Sequence, residues 1–150
     1  QKVQGIDCYT DYHEILNLPD LDGVIINLPN NLHFRVCMDA LRAGKHVCCE
    51  KPLCLELDEA LELEQTARAL KLTMLTCFHR RYNRHLLAAI DDGSLKDAVA
   101  YIAHYDERIE DHAGRDSWYL NPQACGGGCI ADNRFRSSCI DRHVIDDNSF

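Results

Sequence analysis

The stretch "DGVIINLPNNLHFRVCMDALRAGKHVCCEKPL", Asp22 to Leu53, decides how the chain folds. Val24 to Ile26 and then Leu28 form an apolar run between Gly23 and Pro29, the pattern of a strand buried on both faces. Asn30 and Asn31 offer an N-cap to the segment that follows. In it Val36, Cys37, Ala40 and Leu41 recur at helical spacing, and Gly44 supplies a C-terminal cap. "HVCCE", His46 to Glu50, then predicts a second strand.

Working outward, the pattern repeats. Leu57, Ala60, Leu63, Ala67 and Leu70 mark one face of a helix over Leu57 to Leu70. Asp58 and Glu59 fall in its first turn, where the helix dipole favours negative charge. "LTMLTCF", Leu72 to Phe78, predicts a third strand. Strands alternating with helices through short connections imply right-handed crossovers and a parallel sheet. Ligands of such sheets bind beyond the carboxyl ends of the strands. That rule selects Pro29-Asn30-Asn31, Glu50-Lys51-Pro52 and His79-Arg80-Arg81.

Past residue 80 the pattern changes. A helix over Tyr82 to Asp91 leads through "DDGSL" into "KDAVAYIAHYDE", Lys96 to Glu107, which predicts the first strand of a second, antiparallel sheet. A polar connector, Arg108 to Gln123, precedes "CGGGCIADN" and a helix near Cys139 to Ile145. The expected organisation is one domain over residues 1–80 and the start of another over 81–150.

Composition narrows the function. The 150 residues carry a net charge of −8, against any partner whose phosphates need clustered Lys and Arg, so nucleic acid is not expected. No apolar run approaches the roughly 20 residues that cross a bilayer, and no signal peptide is evident. A cytoplasmic protein without membrane contact is the expectation. The nine cysteines are odd in number and include no C-x2-C pair. Free thiols in a reducing compartment are therefore expected, and no metal site.

These motifs resemble the Gfo/Idh/MocA oxidoreductases, the family of glucose–fructose oxidoreductase and inositol dehydrogenase. Four features line up in order: Pro29-Asn30-x-x-His33, Ala43-Gly44-Lys45-His46-Val47, Glu50-Lys51-Pro52, and Gly126-Gly127-Gly128-x-x-x-Asp132. The resemblance runs from about Tyr9 to Asp132. It implies an α/β fold: the later part of a Rossmann doubly wound parallel sheet, followed by the start of an α/β open-faced antiparallel-sheet domain. It also implies NAD or NADP as cofactor. The family's Gly-rich phosphate turn has no counterpart here, because no G-x-G-x-x-G occurs. The chain therefore reads as an internal fragment of a longer protein, expected to be inactive alone.

The resemblance also assigns roles. Lys51 is expected between nicotinamide and substrate, its ammonium on the reacting hydroxyl, where a cation stabilises a developing alkoxide. Pro52 restricts the backbone at Lys51 and so fixes its direction, and Glu50 orients the lysine or bonds the cofactor ribose. Pro29, Asn30 and His33 border the nicotinamide end of the cofactor. Asn30 reads equally as a plain N-cap, and His33 equally as a packed core histidine. Arg81 is expected near the cofactor and Asn83 near the substrate, although a basic surface turn has the same appearance. Trp118 either shapes the substrate pocket or packs two domains together. Asp132 matches the first residue of the family's Asp-x-Gly-x-His-x-x-Asp motif and is expected to assist Lys51. The motif then departs: Arg134 replaces Gly, Arg136 stands where His belongs, and the closing Asp appears late as Asp141. Arg134 to Ser138 is either a changed active site, an insertion or a sequence error, and His143 is too far along to stand in.

The implied activity is hydride transfer between nicotinamide and a secondary hydroxyl of a sugar, cyclitol or related polyol. The full-length parent is expected to be a homo-oligomer. Two alternatives stay open: a non-catalytic dinucleotide-binding module, and an enzyme that uses transient NAD oxidation for elimination or glycoside cleavage.

Overall fold

The computed structural model describes residues 2–3, 5–96, 114 and 117–127. It divides into two units, one of Gln1–Leu28 with Leu32–Thr76, the other of Pro29–Asn31 with the chain from Cys77 onward.

The first unit opens with a small antiparallel pair, β1 (Lys2–Val3) and β2 (Ile6–Asp7), followed by a short helix α1 (Tyr12–Leu16). Asp11 caps α1 by accepting from the His13 amide at 3.0 Å. The central elements are β3 (Gly23–Ile26), α2 (Asn30–Arg42), β4 (His46–Glu50), α3 (Leu57–Leu70) and β5 (Met74–Cys77). The strands form a three-stranded parallel sheet in the order β3-β4-β5. Between β3 and β4 the register pairs Gly23 with His46 and Ile26 with Cys49. A Cβ on Gly23 would lie 2.9 Å from the His46 carbonyl oxygen, so the close approach of the two strands needs glycine there.

One face of the sheet carries the core. Ile26, Val47 and Cys49 are buried with Val36, Cys37, Ala40 and Leu41 of α2 and with Leu63 and Ala67 of α3. Each removes apolar surface from water at about 25 cal/mol per Å². The opposite face differs from the expectation of a strand buried on both sides: Ile25 is 79% exposed and Leu75 54%. Side chains alternate along a strand, and both helices lie on the side of Ile26 and Val47. The α3 stripe is also shorter than its spacing suggests. Leu63 and Ala67 are buried in mid-helix, whereas Leu57, at 74%, and Leu70 stay exposed at its ends.

Helix ends follow local chemistry. Gly44, at φ 75°, closes α2: its amide donates to the Leu41 carbonyl at 2.9 Å and that of Lys45 to Ala40 at 3.0 Å. Lys71, at φ 57°, occupies the left-handed position after α3. The amide of Glu56 donates to the Glu59 carboxylate at 3.4 Å at the other end of that helix.

The second unit holds a 3-10 turn (His79–Tyr82), α4 (Arg84–Asp91), a second 3-10 turn (Trp118–Leu120) and α5 (Pro122–Cys125). Two short helical turns thus occupy the end of the expected connector. Ser117 caps the first of them, and Asn121 the second, with Pro122 in its first turn. The strand expected over Lys96 to Glu107 and the helix near Cys139 to Ile145 lie outside the described residues, apart from Lys96.

Candidate active site

In the first unit the chemistry gathers at the carboxyl end of β4. Cys49, fully buried, anchors the last turn of that strand to the core, and Glu50 closes it half-buried. Lys51 follows at only 7% exposure, and Pro52 is buried beside it. The Lys51 amide donates to Glu50 Oε2 at 3.1 Å, so the carboxylate holds the lysine's backbone. The Lys51–Pro52 peptide is cis. A largely buried ammonium costs free energy unless polar partners surround it. Lys51 stands at a strand end, where ligands of parallel sheets bind, and a cation there can stabilise negative charge on a bound molecule.

His33, in the first turn of α2, is fully buried. Its Nδ1 lies 2.7 Å from the Pro52 carbonyl oxygen and its Nε2 2.9 Å from that of Leu28. Both ring nitrogens of this buried histidine thus face main-chain oxygens.

The remaining candidates belong to the second unit. Pro29 is half-buried, and Asn30, the first residue of α2, is buried. Asn30 Nδ2 donates to the Cys125 carbonyl at 2.8 Å, across 95 residues of sequence, a task beyond that of a plain N-cap. Asn83 caps α4, its Oδ1 accepting from the amides of His85 at 3.0 Å and Leu86 at 3.2 Å. That structural job occupies its side-chain oxygen. Trp118 is half-buried and stacked on Tyr119, ring centroids 4.1 Å apart. Gly126 ends α5 in a left-handed conformation. Asp132 and the side chain of Arg81 lie outside the described residues.

Among the described residues no group of three His, Cys, Asp or Glu could hold a metal ion. The seven described cysteines form no disulfide with one another. Burial, with the charge of Glu59 second, pushes the Cys54 thiol up to about 11, which leaves it protonated and a poor ligand at neutral pH. Lys45 entered the sequence reading only as part of a motif, without a role for its side chain. It is buried, and its Nζ donates to the carbonyls of Leu18 at 2.8 Å and Leu21 at 2.9 Å. The signal was present in a lysine between a helix-ending glycine and a strand.

A parallel sheet with crossover helices, its polar residues collected past the strand ends, defines the nucleotide-binding α/β class. Comparison with known proteins gives the family. The model of the Gfo/Idh/MocA oxidoreductases, described as an oxidoreductase family with an NAD-binding Rossmann fold, matches residues 1–78, and the chain belongs to that family. It is 32% identical to 1,5-anhydro-D-fructose reductase of Ensifer adhaerens over 142 residues, 93% of this chain and 42% of the reductase. It is 33% identical to an inositol 2-dehydrogenase/D-chiro-inositol 3-dehydrogenase of Lactiplantibacillus plantarum, over 66% of this chain and 30% of that enzyme. An NAD-binding oxidoreductase from Klebsiella pneumoniae superposes with a TM-score of 0.73 at 30% identity, over 91% of this chain and 37% of its own. A 3-ketoreductase from Actinomadura kijaniata, solved with NADP, matches at TM-score 0.54 and 34% identity, over 59% of this chain and 28% of its own. The chain thus spans less than half the length of these relatives. No helix among the described residues is long and apolar enough to cross a membrane.

Proposed function

We propose that the full-length protein is an NAD(P)-dependent oxidoreductase acting on a secondary hydroxyl of a sugar, cyclitol or related polyol. The observation that carries this reading is Lys51, a buried ammonium at the carboxyl end of a parallel strand in an NAD-binding family. The names of the relatives, an anhydrofructose reductase and an inositol dehydrogenase, support the substrate class.

The dinucleotide fits the chain only in part. The strand-end residues have the chemistry of a nicotinamide-side pocket: a largely buried lysine, a carboxylate holding its backbone, and a proline beside it. No Gly-rich turn of the G-x-G-x-x-G kind is present to cradle a pyrophosphate. When bound, the nicotinamide supplies hydride chemistry, and the protein supplies placement and electrostatics. In this reading Lys51 Nζ donates a hydrogen bond to the reacting oxygen and stabilises the negative charge that grows there as the hydroxyl loses its proton. Glu50 keeps the lysine's backbone in place, and Asp132 assists with the proton. The domain division falls near residue 80, with the substrate domain beyond it, and the protein works in the cytoplasm as a homo-oligomer. The 150 residues alone bind NAD weakly.

Replacing Lys51 by Ala in the full-length enzyme is expected to lower kcat by about 100- to 1,000-fold, the usual cost of one donor to a developing oxyanion. Cofactor affinity, measured by NADH fluorescence, should change far less. Undiminished turnover in Lys51→Ala would sink the assignment. The Arg136 departure favours a second reading, a dinucleotide-binding module without catalysis. Full-length protein that binds NADH yet exchanges no hydride with any polyol would establish it.

A further inference from the structure

The contacts of His33 point to a task that neither of its sequence readings contains. Leu28 lies two residues past the end of β3 and Pro52 two residues past the end of β4, and His33 reaches both from the helix between those strands. Main-chain carbonyls only accept, so the ring is the donor in whichever contact its tautomer makes a hydrogen bond. Pro52 is bonded directly to Lys51. Its backbone is held at the carbonyl by His33, while Glu50 Oε2 holds the Lys51 amide. The peptide that carries the lysine is thus gripped on both sides.

We infer that His33 is a positioning residue for Lys51, acting through the Pro52 carbonyl rather than by touching cofactor or substrate. The inference rests on the reading of Lys51 as the cation at the reacting oxygen. The two contacts of the ring are not equivalent: the one at Nδ1 bears on the lysine through Pro52, while the one at Nε2 faces the β3 end. Asparagine places an amide N–H near the position of Nδ1, and glutamine places one near Nε2. Asparagine at position 33 therefore preserves the grip on Pro52, and glutamine preserves the grip on Leu28.

The test uses the full-length protein with His33→Ala, His33→Asn, His33→Gln, Lys51→Ala and the His33→Ala/Lys51→Ala pair. Turnover is followed with 1,5-anhydro-D-fructose plus NADPH and with myo-inositol plus NAD. His33→Ala should lower kcat about 100-fold with KM for the cofactor little changed, the scale of a small misplacement of a catalytic group. Asn should recover more of kcat than Gln. In the Lys51→Ala background the loss of His33 should cost nothing further, since residues that act as a unit are not additive. A purely structural histidine would instead lower kcat by the same factor in both backgrounds, and that result overturns the inference while leaving the role of Lys51 intact. Lys51→Ala with full turnover would overturn the role of Lys51 itself. A readout independent of activity is the NMR resonance of Lys51 Cε. It should move in His33→Ala, return toward its original position in His33→Asn, and return less in His33→Gln. A resonance unmoved by His33→Ala, or restored better by Gln than by Asn, overturns the positioning role whether or not either substrate is turned over.

Discussion

The two faces of the β3-β4-β5 sheet have similar residue types and opposite surroundings. Ile26, Val47 and Cys49 are buried against α2 and α3, while Ile25 and Leu75, one residue out of phase, stand exposed. Hydrophobicity alone does not distinguish Ile25 from Ile26. What separates them is which side of the strand the crossover helices return to, and that side is set by chain handedness rather than by composition.

This contrast can be broken by substitution, measured as chemical unfolding of the 150-residue chain. Leu41→Ala, at a fully buried site between α2 and the sheet, should cost about 3 kcal/mol, from lost burial and the cavity left behind. Lys45→Met should cost about 2 kcal/mol, because it removes the ammonium that donates to the carbonyls of Leu18 and Leu21 near the entrance to β3. Gly44→Ala should cost about 1 kcal/mol. Nothing lies within 4 Å of the added Cβ, so the penalty comes from the left-handed backbone alone. Ile25→Thr should change stability by less than about 0.5 kcal/mol, the range of an ordinary surface substitution. A loss at Ile25 comparable to that at Leu41 would mean that the exposed face is covered in solution, and the contrast between the two faces would fail.

Much of the fold was legible because its signals are local. "HVCCE" became β4 and the Leu57 to Leu70 pattern became α3 with their expected bounds, since each carries its own periodicity and its own stop. The membership in an NAD-binding oxidoreductase family was legible for the same reason, from motifs a few residues long. The helix α1 and the turns after Ser117 were missed, although Asp11, Ser117 and Asn121 each announce a cap. Those elements are too short for periodicity to appear. The site was less legible than the fold. Asn30 meets the Cys125 carbonyl across 95 residues, and His33 meets Pro52 across 19, and no local pattern encodes either distance. Sequence could name the residue types at the strand ends. It could not say that the oxygen of Asn83 serves a helix end, or that the ring of His33 faces backward onto two carbonyls.

The amino end of β4 has a consequence for the lysine at its other end. Gly44, Lys45 and His46 each fasten the chain to a different segment: the end of α2, the loop before β3, and the Thr73 amide, which donates to His46 Nδ1. With that end fixed, β4 behaves as a ruler. Five residues at about 3.3 Å each set how far along the sheet Lys51 emerges, and the alternation of side chains sets its phase. Deleting a single residue such as Cys48 would shorten the ruler by one division and invert the phase, turning Cys49 out of the core. The length of this strand is therefore as much a constraint on Lys51 as any residue that touches it.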